Sequence, residues 1–193
     1  MADETPDPSI PPVLTTERSR HDATIFHAEY DPAWPALYEV EAAKIRGALG
    51  AAALGVWHVG STSVPGLAAK PLIDINLAVA DSADEAAYVP ALTAAGYWLR
   101  HREPDWHEHR MLKGADPEVN LHVFTAGCVE LERMLAFRDW LRTDAADRAL
   151  YEQTKRTLGA RVWAHVQDYA DAKGEVVETI IARALAARAD GRI

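Results

Sequence analysis

The stretch from His58 to Leu77 concentrates the residues best suited to binding a phosphate and a cation. Its sequence is HVGSTSVPGLAAKPLIDINL. Gly60 has no side chain to keep a phosphate from the backbone, and Asp74 on the next predicted strand can hold a divalent cation against phosphate oxygens. Hydroxyl donors follow the glycine on Ser61, Thr62 and Ser63. The pattern predicts a pocket for a nucleotide or other phosphorylated small molecule with Mg²⁺, or with Mn²⁺ or another divalent metal.

The spacing of this turn excludes several familiar motifs. A Walker A loop needs Gly and Lys where Pro65 and Gly66 stand, and the glycine spacing fits neither a dinucleotide fingerprint nor a GxSxG elbow. The pattern instead resembles the nucleotidyltransferase superfamily, in which a Gly-Ser pair after one strand precedes an Asp-hydrophobic-acid triplet on the next. The matching positions here are Gly60, Ser61, Asp74 and Asn76.

A longer series of motifs carries a more specific resemblance. HVGSTSVPGLAAKPLIDI, NLHVF, FRDWLR, YEQTK and YADAK occur in the order typical of GrpB-family proteins, between Ile25 and Leu185. The resemblance implies an α+β, nucleotidyltransferase-like fold with helices packed on a small mixed β-sheet and a helical C-terminal third. It also implies a predicted transferase activity that uses a nucleoside triphosphate, with an unknown acceptor.

Two positions depart from the superfamily pattern. Asn76 stands in place of the second acid of the triplet, and Asn120 and His122 stand on the later strand where a third acid is usual. A mechanism with two cations is therefore poorly supplied with carboxylates. Asp74, Asn76 and His122 are the candidate metal ligands, and Ser61, Asp74 and His122 the candidate catalytic residues.

These departures leave three functions open. The first is a metal-assisted nucleotidyltransferase, and the second is a non-catalytic module that binds a nucleotide or another anionic metabolite. The third is a metal-dependent hydrolase with a His/Asp site, because His58 and His122 are both predicted near Asp74. His122 is as well explained by an ordinary backbone hydrogen bond as by general-base chemistry, and the ordinary explanation is preferred for His58.

The helical third supplies cations that could meet phosphates. Candidates lie four residues apart or four residues after a tyrosine: Arg138, Arg142, Lys155 and Lys173. Surface pairs with neighbouring acids are the alternative for each of them. Lys70 in the Gly-Pro turn is assigned to the pocket, and so are Lys155 and Lys173, at positions where GrpB proteins carry lysine. The family's matching arginine suggests that Arg110 also reaches the pocket.

Periodicity places these residues on definite elements. A helix is predicted from Asp31-Pro32 to Gly50, and a capping box of Ser82 and Glu85 predicts another that ends at Gly96. Strands are predicted at Val56–Val59, Pro71–Val79 and from Tyr97, with a hairpin joining Met111-Leu112 to Val119–Phe124. Helices fill the chain beyond Cys128. In the WHEHR segment, His107 and His109 are predicted on the same side of a strand, a geometry that can bind a metal, and an exposed polar edge is the preferred explanation.

Composition sets the remaining limits. The 193 residues carry 20 basic and 29 acidic side chains, and the net charge of −9 argues against non-specific nucleic-acid binding. Cys128 is the only cysteine, which fits a reducing, cytoplasmic compartment. The proline-rich residues 1–22 are predicted to form a flexible arm before a single domain at 23–189, and no segment predicts a signal peptide or a membrane span.

Overall fold

The computed structural model of the chain describes residues 20–193. The predicted arm lies outside the described residues, except for its last three positions. These three belong to strand β1 (Arg20–Ala23), which pairs antiparallel with β7 (Trp163–His165) in a two-stranded sheet. Residues 20–22 are therefore part of the folded structure.

A five-stranded mixed sheet forms the centre of the fold. Its strands are β2 (Gly55–Val59), β3 (Ile73–Val79), β4 (Trp98–Glu103), β5 (His109–Gly114) and β6 (Val119–Thr125), in the order β2-β3-β6-β5-β4. β3 and β6 run parallel, and the other neighbouring pairs are antiparallel. The predicted α+β class and the predicted hairpin, formed by β5 and β6, are both confirmed.

Six α-helices complete the described part of the chain. They are α1 (Trp34–Leu49), α2 (Val89–Ala94), α3 (Val129–Thr143), α4 (Ala145–Gly159), α5 (Val166–Ala172) and α6 (Gly174–Ala189). The helical C-terminal third is confirmed, with β7 as its one interruption after Cys128. No helix among residues 20–193 is both long enough and apolar enough to cross a membrane.

Strand alternation gives the central sheet two different faces. The odd-numbered residues of β3, Ile73 to Val79, are buried against α1 and α2 in the largest hydrophobic cluster. The even-numbered residues Asp74, Asn76 and Ala78 therefore point to the opposite face, on the side of α3. We call this second face the site face.

The predicted capping box is wrong. Ser82 is buried, and its hydroxyl bonds to the Thr125 hydroxyl at 3.0 Å instead of capping a helix. Glu85 accepts hydrogen bonds from Arg102 and Arg110, and α2 begins later, at Val89. The physical reason is that the buried Arg110 guanidinium needs a carboxylate, and this tertiary requirement outweighs a local cap.

The predicted strand through WHEHR is also wrong. His107 and Glu108 have φ of 56° and 51°, left-handed values that belong to a turn, and β5 begins only at His109. His107 is exposed, whereas His109 is buried. The two imidazoles therefore do not form one exposed edge.

Candidate functional site

The site face brings the glycine bend and one carboxylate into direct contact. Val59, the last residue of β2, pairs with Asp74 on β3, so the chain leaves the sheet through Gly60 directly beside Asp74. A Cβ atom placed on Gly60 would lie 2.3 Å from Oδ2 of Asp74. Gly60 also has φ 66° and ψ −175°, a region that only glycine adopts readily. The bend and the carboxylate therefore share one cavity, and they do so because residue 60 has no side chain.

Asn120 and His122 on β6 surround the Asp74 carboxylate. Asn120 Nδ2 donates to Asp74 Oδ1 at 2.8 Å, and His122 Nε2 lies 3.7 Å from the same oxygen. Burial raises the pKa of Asp74, but His122, Asn120 and the Lys173 charge outweigh it, so the pKa lies below its ordinary value. The site therefore holds an ionised carboxylate at neutral pH.

A row of polar side chains continues from His122 across the sheet. His122 Nδ1 lies 3.1 Å from His109 Nε2, and His109 Nδ1 lies 2.6 Å from Glu103 Oε2. Phe124 stacks on His109 with 4.7 Å between ring centroids, and Trp106 meets it edge-on at 5.1 Å. Burial, and then the His122 charge, lower the pKa of His109 to about 3, so this imidazole is neutral. Sequence inspection missed both Glu103 and His109 because their partners lie on other strands.

On the other side of the bend, Lys155 from α4 reaches the turn. Its Nζ donates to the Ser61 hydroxyl at 3.0 Å and to the Ala68 carbonyl at 2.5 Å, and the residue is only 2% exposed. Burial and, next, the Lys173 charge lower the pKa of Lys155 to about 7. The predicted partnership of each lysine with a tyrosine is present, at 4.8 Å over Tyr151 for Lys155 and 4.7 Å over Tyr169 for Lys173.

His27 is a further member of this lysine cluster that sequence inspection missed. Its Nε2 lies 2.9 Å from the Tyr169 hydroxyl, and burial together with the charges of Lys155 and Lys173 lowers its pKa to about 4. Gly159 makes room for the ring, since a Cβ there would lie 2.7 Å from it. No local motif marks His27, because its neighbours come from the distant C-terminal helices.

Other predicted phosphate ligands hold the turn in shape. Thr62 donates to the Leu72 carbonyl at 3.0 Å and Ser63 donates to the Gly60 carbonyl at 2.6 Å, and both residues are buried. Arg142 donates twice to the Ser63 carbonyl, at 3.0 and 2.8 Å. The fourth, Arg138, donates to the His58 carbonyl at 3.1 Å. These donors therefore serve the backbone of the bend, and of the three predicted hydroxyls only Ser61 faces the lysine.

Two predicted pocket cations lie elsewhere. Arg110 pairs with Val123 in the ladder, so its side chain is on the α1 and α2 face, where Nε donates to Glu85 at 2.6 Å. Lys70 is exposed and lies 3.5 Å from Glu118. The assignment of Arg110 to the pocket is wrong. Side chains alternate along β5, so Arg110 lies on the α1 and α2 face while its neighbour His109 lies on the site face.

Asn76 and His58 were both considered as metal ligands, but neither side chain is placed to bind a metal together with Asp74. Asn76 is on the site face but fully buried, with Nδ2 donating to the Met134 sulfur at 3.3 Å. His58 points to the opposite face, stacks on Tyr38 at 4.8 Å and contacts the Thr62 hydroxyl at 3.0 Å. Asn76 is thus covered by α3. His58 is a buried structural histidine, but its partner is a side-chain hydroxyl and not the backbone group that was predicted.

The geometry limits how a metal could be held. Among residues 20–193 no group of three His, Cys, Asp or Glu side chains is placed to bind a metal ion. The Asp74 carboxylate and His122 Nε2 face one another, and Asn120, which donates to Asp74 through Nδ2, has a buried Oδ1 without a hydrogen-bond partner among the described residues. Such a partial ligand set suits a cation that takes its remaining ligands from a substrate.

Fold and site together define an α+β protein with one carboxylate, Asp74, beside a glycine bend on one sheet face and the buried Lys155 bonded to that bend. The family model described as GrpB protein matches residues 24–183, and the chain belongs to the GrpB family.

Individual relatives agree with this assignment. The chain is 55% identical over 178 residues to a UPF0157 protein of Halalkalibacterium halodurans, covering 92% of this chain and 91% of the relative. The crystal structure of the conserved protein GrpB from Enterococcus faecalis is similar with a TM-score of 0.74 and 31% identity, over 83% of this chain and 97% of that one. A dephospho-CoA kinase of Mycolicibacterium paratuberculosis is 34% identical over 170 residues, covering 74% of this chain but 42% of the kinase.

Proposed function

We propose that this protein is a metal-assisted nucleotidyltransferase that uses a nucleoside triphosphate. The observation that supports it best is the contact between the Gly60 bend and the Asp74 carboxylate, with no side chain between them. A backbone bend free of side chains admits a phosphate, and an ionised carboxylate beside it attracts the cation that accompanies a triphosphate.

The lysine cluster supports the same ligand from the opposite side. Lys155 is bonded to Ser61, and the Lys173 charge acts on both Lys155 and Asp74, so both ammonium groups lie near the bend. In this proposal Ser61 donates to a phosphate oxygen while the lysines neutralise charge that builds up on the leaving pyrophosphate. Buried cations next to an anion site are worth more than exposed ones, since water screens them less.

A divalent cation fits the site as a partner of the phosphates. Asp74 and His122 would hold it, and the unpartnered Asn120 Oδ1 is a third ligand atom of suitable chemistry. When bound, it would supply Lewis-acid stabilisation of phosphate charge. An imidazole in the ligand set favours Mn²⁺ or a later transition metal over Mg²⁺.

A second function is favoured by the burial of Asn76. Because α3 covers this side chain, the position of the usual second acid contributes nothing to the cleft. A protein with one carboxylate could retain a nucleotide or another anionic metabolite without transferring it. The two functions share the pocket and differ only in turnover.

The similarity to dephospho-CoA kinases suggests where an acceptor could be sought. In those relatives a region like this chain accounts for less than half of a protein named for a coenzyme A precursor. Dephospho-CoA and related nucleotides are therefore reasonable first compounds to test as ligand or acceptor for this chain.

The test measures binding and transfer with the same preparations. Wild-type protein, Asp74→Asn and the exposed control Asp84→Asn are titrated with each nucleoside triphosphate plus Mn²⁺ or Mg²⁺ in a calorimeter. Each is then incubated with α-labelled triphosphate and cell extract. We expect Asp74→Asn to bind about 10- to 100-fold more weakly, the cost of losing interactions with a charged group. Transferred label supports the enzyme, bound intact nucleotide supports the binding module, and equal binding by all three proteins rejects both.

A further inference from the structure

The row of side chains that runs from Glu103 through His109 to His122 determines which nitrogen of His122 faces the cleft. The three residues come from β4, β5 and β6, and ladder pairing places them on the site face with Asp74. Their contacts are 2.6 Å and 3.1 Å, both within hydrogen-bond range. The row ends 3.7 Å from the Asp74 carboxylate.

Hydrogen-bond direction propagates along this row from its outer end. The Glu103 carboxylate only accepts, so Nδ1 of His109 must carry the proton that joins them. A neutral imidazole has one N–H, which leaves Nε2 of His109 as an acceptor, and the burial of this ring between Phe124 and Trp106 favours the neutral form. The proton between the two histidines then belongs to Nδ1 of His122.

We infer that Glu103 and His109 are positioning residues that fix the neutral form of His122 as the Nδ1–H tautomer, with the lone pair of Nε2 directed at Asp74. This inference deepens the proposed function and rests on it for the role of the lone pair. In this neutral form two groups that both accept, an imidazole nitrogen and a carboxylate, face one another 3.7 Å apart. That arrangement suits a cation between them, and a metal-binding imidazole usually donates its other ring N–H to an outer acceptor, the place that His109 takes here.

The tautomer can be read without any ligand. In protein labelled with ¹⁵N-histidine, long-range ¹H–¹⁵N correlation spectra distinguish the two ring nitrogens, and His122→Gln identifies the His122 signals. We expect Nδ1–H at His122 in wild-type protein. In His109→Phe, which keeps the packing on Phe124, that preference should be lost, whereas His101→Phe on the neighbouring strand should retain it. Nε2–H at His122 in wild-type protein would overturn the inference, and that spectrum decides even if His109→Phe does not fold.

Titration with Mn²⁺ alone tests whether this tautomer supports metal binding at His122. Mn²⁺ should broaden the His122 ring signals first, and His109→Phe should weaken that effect about 10- to 100-fold in apparent affinity. His109→Gln, whose amide can accept from His122, should restore part of the loss. Equal Mn²⁺ affinity in wild type and His109→Phe would overturn the support role. If the tautomer and Mn²⁺ results agree with the inference but no triphosphate binds, the proposed function fails and the assignment of His109 stands.

Discussion

The two faces of the central sheet handle their polar side chains in opposite ways. On the α1 and α2 face, Glu85 is paired with Arg102 at 2.7 Å and with Arg110 at 2.6 Å, and the group is closed. On the site face, Asp74 and His122 stop 3.7 Å apart and the Asn120 Oδ1 has no partner. Buried polar groups are nearly always satisfied in folded proteins, so a closed network indicates stability, whereas an unsatisfied group marks a position where water, an ion or a ligand can bind.

The largest effect is expected from breaking the closed network. Glu85→Ala leaves the buried Arg110 guanidinium without its carboxylate, and removing one partner of a buried ion pair costs about 3–5 kcal/mol of unfolding free energy. Urea denaturation measures it. Glu118→Ala is the matched control, because its pairs with Lys70 and Lys113 are exposed and worth at most about 1 kcal/mol. Equal losses in the two variants would contradict the contrast between the faces.

The next effect comes from filling the gap between the bend and the carboxylate. Gly60→Ala places a methyl group 2.3 Å from Asp74 Oδ2 in a backbone region that costs about 1–3 kcal/mol for other residues. We expect lower stability and lost binding of a metal–triphosphate. Gly66→Ala is the control, since Gly66 has φ 78° but a Cβ added there would meet no atom within 4 Å. It should lose stability without losing binding; if both variants bind normally, the cavity is not the ligand site.

The residues of the site that lie in one sequence segment could be predicted from their types and spacing. Gly60, Ser61 and Asp74 are near in sequence, and alternation along β3 correctly puts Asp74 away from the core. The cleft's other members depend on the sheet order, since β6 inserts between β3 and β5. His109 was therefore predicted in an exposed edge, although its imidazole lies against His122.

The wrong assignments share one physical cause. Glu85 was predicted as part of a helix cap from local spacing, and Arg110 as a pocket cation from the family resemblance, whereas the fold makes them partners on the α1 and α2 face. Thr62 and Ser63 looked like free hydroxyls, but a tight bend uses its own side chains to satisfy its carbonyls. Local sequence patterns predict most helices and strands, but they do not predict which side chains become partners in the folded protein.

A smaller effect concerns the pH dependence of stability. Burial lowers the pKa of Lys155 to about 7, whereas an unfolded lysine has a pKa of about 10.4. Between these values the unfolded chain binds more protons, so this residue makes stability rise with pH, by at most about 1.4 kcal/mol per pH unit. Lys155→Met should flatten the wild-type slope between pH 7.5 and 9, as chemical denaturation can measure.

The control for this slope is Lys113→Met, which removes an amine beside Glu118 near the end of β5. Its stability profile should run parallel to that of the wild type. If Lys155→Met retains the full slope instead, Lys155 is not the group that titrates. The description of the site face as an open polar site beside a buried amine would then be weaker.

The smallest effect is expected at Lys70, the pocket cation that the structure places on the surface. Its Nζ lies 3.5 Å from Glu118 and the side chain is 47% exposed, so Lys70→Ala should change unfolding free energy by less than about 0.5 kcal/mol. Binding of a metal–triphosphate should stay within about twofold of wild type, because water screens an exposed amine from the cleft. A large loss of binding would mean that a bound triphosphate extends beyond the bend to the outer edge of the sheet. The ligand site on the site face would then include Lys70 and the surface around it.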